Sequence, residues 1–189
     1  MSTGPAIPFL VVVPGGSHDF SSIYAIASAY AQSGELLNNR AAETNRLEFA
    51  FPAMVCSSFA IELFLKFFLT LSNAENPTAP QVKRNGHPLQ NLWERIKPEH
   101  QDLIVSMFRN PSHVPISVGL DVRKTQFLDA LKHIGPAPFV DWRYAYEIDT
   151  PKLMSHGAIT EVQDAVGYAA RHIMEKRRAG SPSSGEPLS

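Results

Sequence analysis

FAFPAMVCSSFAIELFLKFFLTLSN, residues 49–73, is the longest apolar stretch of the chain. Pro52 suits the first turn of a helix, where a missing N–H leaves no bond unmade. Downstream, Met54, Val55, Phe59, Ile61, Leu63, Phe64, Leu65, Phe67, Phe68 and Leu71 surround the helix axis instead of lining one side. A helix that is apolar all round lies either inside a domain or inside a bilayer. One stripe decides between them. Ser58, Glu62, Lys66 and Thr70 recur every four residues and stack along one face. Charges at the middle of a span are costly in lipid, so the stretch is expected to be a core helix. Its polar seam must then meet polar partners, because an unpaired buried charge costs several kcal/mol.

Working outward, 189 residues make one domain with room for a sizeable core. The apolar share of 44% and charged share of 19% are ordinary for a globular protein. A net charge of −1 excludes a global electrostatic footprint for nucleic acid or membrane, so any RNA contact needs a local basic patch. The single cysteine, Cys56, sits inside the central helix and reads as a small buried hydrophobe, with no partner for a disulfide. The opening MSTGPAIPFLVVVPGGS has no basic region, and prolines bracket its apolar run, which makes a poor signal peptide. A cytoplasmic location without membrane insertion is expected.

Residues 1–16 read as an extended segment, and residues 17–178 as one helical domain. Ser17 is expected to cap a first helix with Asp19 in its first turn. Its buried face is Phe20, Ile23, Tyr24, Ala27, Tyr30 and Ala31, and it runs to about Asn39 or further through AAETNRLE. Beyond the central helix, AENPTAPQVKRNG is a proline-rich polar loop. Leu89, Leu92, Trp93 and Ile96 mark a short amphipathic helix, and Pro98 opens the next, with Leu103, Ile104, Met107 and Phe108 inward. NPSHVPISVG is loop. Asp121 or Thr125 is expected to cap a helix bearing Phe127, Leu128, Leu131 and Ile134, which Gly135 ends. A last helix from about Thr160 to Arg178 buries Val162, Ala165, Val166, Ala169 and Ile173, and its EKRR end suits the helix dipole. Residues 179–189 are too poor in apolar side chains to pack. The expected fold is all-α, an antiparallel helical bundle around the buried helix 49–73.

Three pieces in order, AIELFLKFFL (60–69), GHPLQNLW (86–93) and FVDWRYAYE (139–147), carry a resemblance. They resemble the HEPN superfamily (higher eukaryotes and prokaryotes nucleotide-binding), over roughly residues 20–175. The resemblance implies a small, often dimeric helical bundle that acts in RNA-targeting toxins, toxin–antitoxin pairs, abortive infection or stress systems, or beside a nucleotidyltransferase. Expected partners are therefore RNA, a partner protein such as a nucleotidyltransferase or antitoxin, and a second copy of the chain. Catalytic members of the superfamily are metal-independent endoribonucleases with an R-x(4–6)-H motif and a polar residue after the arginine. Here Arg95 and His100 have that spacing, but Ile96 follows the arginine and Pro98 breaks any continuous helix. Arg109 and His113 have the polar follower, Asn110, but are one residue too close and enclose Pro111.

Other constellations allow two readings each. Glu62 and Lys66 with Arg143 and Glu147 form either a buried polar network or an opposed set of charges lining a cleft, and the surrounding aromatics favour the network. His87, before Pro88, is a capping or packing histidine or else an acid–base group. Lys83, Arg84 and His87, with Arg95 and Lys97 near, are a solvated loop or a basic rim for phosphates. Trp142, Tyr144 and Tyr146 stack on bases or fill core, with at least Tyr144 or Tyr146 expected inside. The seven histidines show no metal-ligand spacing, and no phosphate-binding glycine loop or hydrolase motif occurs, so neither metal nor cofactor is expected. The functional expectation is binding of RNA or a partner protein, with a degenerate endoribonuclease as the alternative.

Overall fold

The computed structural model describes residues 19–77, 88–139 and 156–180. Six α-helices occur there: α1 (Phe20–Thr44), α2 (Ala50–Glu75), α3 (Leu89–Trp93), α4 (Pro98–Met107), α5 (Leu120–Ile134) and α6 (His156–Gly180). A 3-10 turn, Leu47–Phe49, precedes α2, and no strand is present among the described residues. The fold is all-α, as the apolar patterning predicts.

Helices α1 and α2 form an antiparallel hairpin. Phe20 meets Phe67, Tyr24 meets Phe64 and Phe67, and Tyr30 meets Phe59, so the partner's number falls as α1 advances. Asn45 adopts a left-handed conformation (φ 51°) and closes the C-terminus of α1, its N–H donating to the Ala41 carbonyl. Deeper in the hairpin, Gly34 faces Ala53 and Ser57. A Cβ on Gly34 would run into Ser57 Oγ and stand 3.2 Å from the Ala53 carbonyl oxygen. Small residues on both helices set this close approach.

The central helix is buried over most of its length, with Ile61, Leu65, Phe67, Phe68, Leu69 and Leu71 all at the centre of the core. Among the described residues, Leu47–Glu75 is the helix long and apolar enough to cross a membrane, yet most of it is covered by the rest of the bundle. Its burial is that of a core helix. Cys56 lies half-buried on it, and burial raises its thiol above the ordinary value.

Helix α6 packs on α2 and α4 and runs antiparallel to α1 and α4. Its end reaches Phe20 and Glu75 through Arg177, while Glu161 near its start meets Arg109 after α4. A second aromatic cluster joins α3, α4 and α5: the Trp93 and Phe127 rings lie 4.7 Å apart, and Phe108 meets Phe127 edge-on at 90°. Gln101 donates from Nε2 to the Trp93 carbonyl (2.9 Å), and the Leu89 N–H donates to the Pro136 carbonyl (2.8 Å). The Leu89 bond pairs an N–H at the start of α3 that has no partner within the helix, and the Gln101 bond adds to the one the Trp93 carbonyl already accepts from the Ile96 N–H (3.0 Å).

Pro98 occupies the first turn of α4, and Gly135 (φ 96°) ends α5, both as expected. Four local expectations are corrected. Asp19 is itself the cap of α1, accepting from the Ser21 and Ser22 N–H groups at 3.2 Å, rather than a first-turn residue. Gly119, left-handed at φ 69°, precedes α5, so Asp121 lies inside its first turn and Thr125 bonds back to the Asp121 carbonyl. Tyr30 is exposed, because Phe59 beneath it shields only one ring edge. The last helix begins at His156, where Thr160 Oγ1 donates to the His156 carbonyl (3.1 Å) and supports the extra turn.

Candidate functional site

The polar seam of α2 is inside the protein. Glu62 is 2% exposed and accepts from Lys66 Nζ at 2.6 Å, while the Lys66 side chain keeps 22% exposure. Thr70 Oγ1 donates to the Lys66 carbonyl (2.9 Å), and Ser58 is fully buried, its hydroxyl without a hydrogen-bond partner among the described residues. The four-residue repeat thus produces a helical ion pair in a largely dry setting. Arg143, Tyr144, Tyr146 and Glu147, expected to oppose it, lie outside the described residues, as does His87.

The two Arg/His spacings separate in space. Arg95 follows α3, its Nε donating to the Asn91 carbonyl (2.7 Å), whereas His100 is 8% exposed within the first turn of α4. Arg109 gives Nε and Nη2 to one carboxylate oxygen of Glu161, at 3.0 and 2.8 Å. His113 instead stacks on Tyr168, with ring centroids 3.7 Å apart. Between them, buried Asn110 organises the loop. Its Nδ2 donates to the Ser106 and Val114 carbonyls, and its Oδ1 accepts from the Ser112 N–H and hydroxyl. These bonds hold Arg109 and His113 at left-handed φ values of 50° and 52°, which non-glycine residues rarely adopt.

His100 finds different company. Its ring sits 5.5 Å from the Phe68 ring and forms part of the wall of a cavity of about 550 Å³. Around it stand Glu75 at the end of α2 and His172, Lys176 and Arg177 on α6. Glu75 is held by two cations, Lys97 Nζ at 3.2 Å and Arg177 Nη2 at 2.7 Å. Burial alone would raise the Glu75 carboxyl; the hydrogen bonds from Lys97 and Arg177, with the charges of His100 and Lys97, hold it below its ordinary value.

His100 responds in the opposite sense. Burial pushes its pKa down, against the raising effect of Glu75 and Glu99, and Lys97 and Arg177 push it down further. Its Nδ1 is buried with no hydrogen-bond partner among the described residues. A proton there would point at nothing, so the neutral ring with its hydrogen on Nε2 is the favoured form. Such an imidazole offers a donor to an anion without bringing a full charge into the wall. In the cavity wall Lys176 and Arg177 outnumber Glu75, and Lys176 has no ion pair among the described residues. The opening is cationic and adjoins the N-terminal turn of α4, where the helix dipole favours negative charge.

The local sequence carries no signal for this cluster. Glu75 and Arg177 are 102 positions apart, and they meet because α6 runs parallel to the core helix, so that the two C-terminal ends adjoin. Comparison with protein families, curated proteins and solved structures finds no match for this chain.

Proposed function

We propose that the chain is a HEPN-like helical domain that binds single-stranded RNA in the cytoplasm through the cavity around His100, as part of a defence, stress or toxin–antitoxin system. The observation that carries this reading is Lys176 and Arg177 in the wall of a cavity of about 550 Å³ beside buried His100, with Lys97 bonded to Glu75 of the same wall. Cations at the rim contact phosphates and hold register, and the imidazole offers a directed hydrogen bond. The all-α bundle and the Glu62–Lys66 pair on its core helix support the HEPN-like assignment.

Metal-independent RNA cleavage is a second reading, carried by His100 and His172 sharing one cavity with Arg177. Two imidazoles and a guanidinium are the groups needed to activate a 2′-hydroxyl, protonate the leaving oxygen and neutralise the phosphorane. Fluorescence anisotropy with a short labelled single-stranded RNA tests the first reading. Wild type should bind, and the Lys176→Ala/His172→Ala pair should bind at least about tenfold more weakly. Unchanged affinity in the double variant refutes the binding site. EDTA-resistant cleavage by wild type, lost in His172→Ala with the fold intact, establishes the second reading in place of binding alone.

A further inference from the structure

The loop that follows α4 lays an aromatic ring over the outer face of α6. His113 stacks on Tyr168, with ring centroids 3.7 Å apart and planes inclined by 20°. His113 is nonetheless an exposed residue, so the imidazole face turned away from the tyrosine is open. Tyr168 beneath it is half-buried, and the Arg171 guanidinium stands 5.3 Å from the tyrosine ring centre.

Two observations set this pair apart from an incidental ring contact. The first is how the loop is built. Buried Asn110 spends its side-chain amide on the Ser106 and Val114 carbonyls and on the Ser112 N–H and hydroxyl. Arg109 pins the same loop to α6 through Glu161. Together they keep Arg109 and His113 at left-handed φ. A loop that only joined α4 to α5 would gain nothing by holding an exposed histidine in a disfavoured conformation, and strain of this kind gathers where ligands are held. The second observation is position. Tyr168, His172 and Lys176 recur every four residues on α6 and so share one side of it. His172 and Lys176 belong to the wall of the His100 cavity. At about 1.5 Å per residue, the ring pair lies about 12 Å along the helix from Lys176.

We infer that the open face of His113, backed by Tyr168, is a stacking platform for one unpaired nucleobase of an RNA strand whose phosphates the His100 cavity holds; this rests on the RNA reading of that cavity. Every base has a π-face, so the platform is tolerant of sequence but requires a base that is unpaired and turned outward. The Arg171 guanidinium supplies a cation beside the rings for an adjoining phosphate.

The test is anisotropy with a labelled oligouridylate carrying one adenosine, moved along the strand, against the same strands made abasic at that position. At one register the adenosine strand should bind wild type at least about fivefold more tightly than its abasic counterpart, the lower bound for stacking one base on an aromatic ring. His113→Asn removes the ring with a residue that tolerates left-handed φ. It should bind both strands alike, and the abasic strand as tightly as wild type does, which shows that loop and cavity are intact. Equal binding of adenosine and abasic strands by wild type at every register overturns the platform while the cavity reading stands, and this comparison decides even if the variant does not fold. A His113→Asn protein that keeps the adenosine preference also overturns it. Failure of wild type to bind any of the strands overturns the cavity reading and the platform together.

Discussion

Replacing Glu62 with alanine tests the packing account most sharply. The carboxylate is 2% exposed and 2.6 Å from Lys66 Nζ. At an effective dielectric of about 20, the gross attraction over 2.6 Å is about 6 kcal/mol. Desolvation of both ions takes back much of it, so the pair itself contributes little net. Truncating one partner is different, because the other ion then stays desolvated without compensation, at about 3–5 kcal/mol. Lys66 keeps 22% exposure and can swing its ammonium toward water, which places Glu62→Ala near the lower end, at about 3 kcal/mol. For a chain of this size that lowers the thermal midpoint by about 6–12 °C. Urea denaturation followed by helical circular dichroism is the assay. Glu43→Ala is the internal control: Glu43 pairs with Arg40 at 3.7 Å with both side chains mostly exposed, and should cost under about 1 kcal/mol. If Glu62→Ala shifts the midpoint no more than Glu43→Ala does, the seam is not a buried ion pair and the reasoning fails.

Gly34→Ala gains helix propensity of about 1 kcal/mol but forces Ser57 and the Ala53 backbone away, so differential scanning calorimetry should show a net loss of about 1–2 kcal/mol. His100 titrates at lower pH folded than unfolded, so between its ordinary value near 6.5 and that lower value only the unfolded chain takes up the proton. Stability should fall as pH drops through this window, and the difference between wild type and His100→Gln melts from pH 7.5 to 5 should isolate it. Asp164→Asn should raise the thermal midpoint slightly, since desolvation, together with Glu35, pushes the Asp164 carboxyl up while His113 only partly offsets them. Solvent screening at this open position keeps the gain below about 1 kcal/mol.

The elements were legible where one local signal sufficed. Helix α2 declares itself because apolar residues surround its axis and a four-residue polar repeat interrupts them. Pro98 and Gly135 punctuate α4 and α5 through backbone constraints that tertiary contacts do not override. The N-termini of α1, α5 and α6 were misplaced by a few residues, because several Ser, Thr and Asp side chains compete to cap and packing chooses among them. The sites were hidden for another reason. Motif spacing joined Arg95 to His100, five positions apart, but α3 and α4 place them on different elements with Pro98 between. The cavity instead assembles His100 with Glu75 and Arg177 through helix pairings no local window contains.

The central claim is that phosphates are held at the His100 cavity by Lys176 and Arg177. Its most direct test is the dependence of RNA affinity on salt, measured by anisotropy for wild type and for Lys176→Ala. Each phosphate neutralised on a single strand contributes a slope of about −0.7 to log K against log salt. Wild type should give a slope of about −1.4, and Lys176→Ala should be shallower by about 0.7 with its fold intact. A slope near zero, or one that Lys176→Ala leaves unchanged, would contradict the claim.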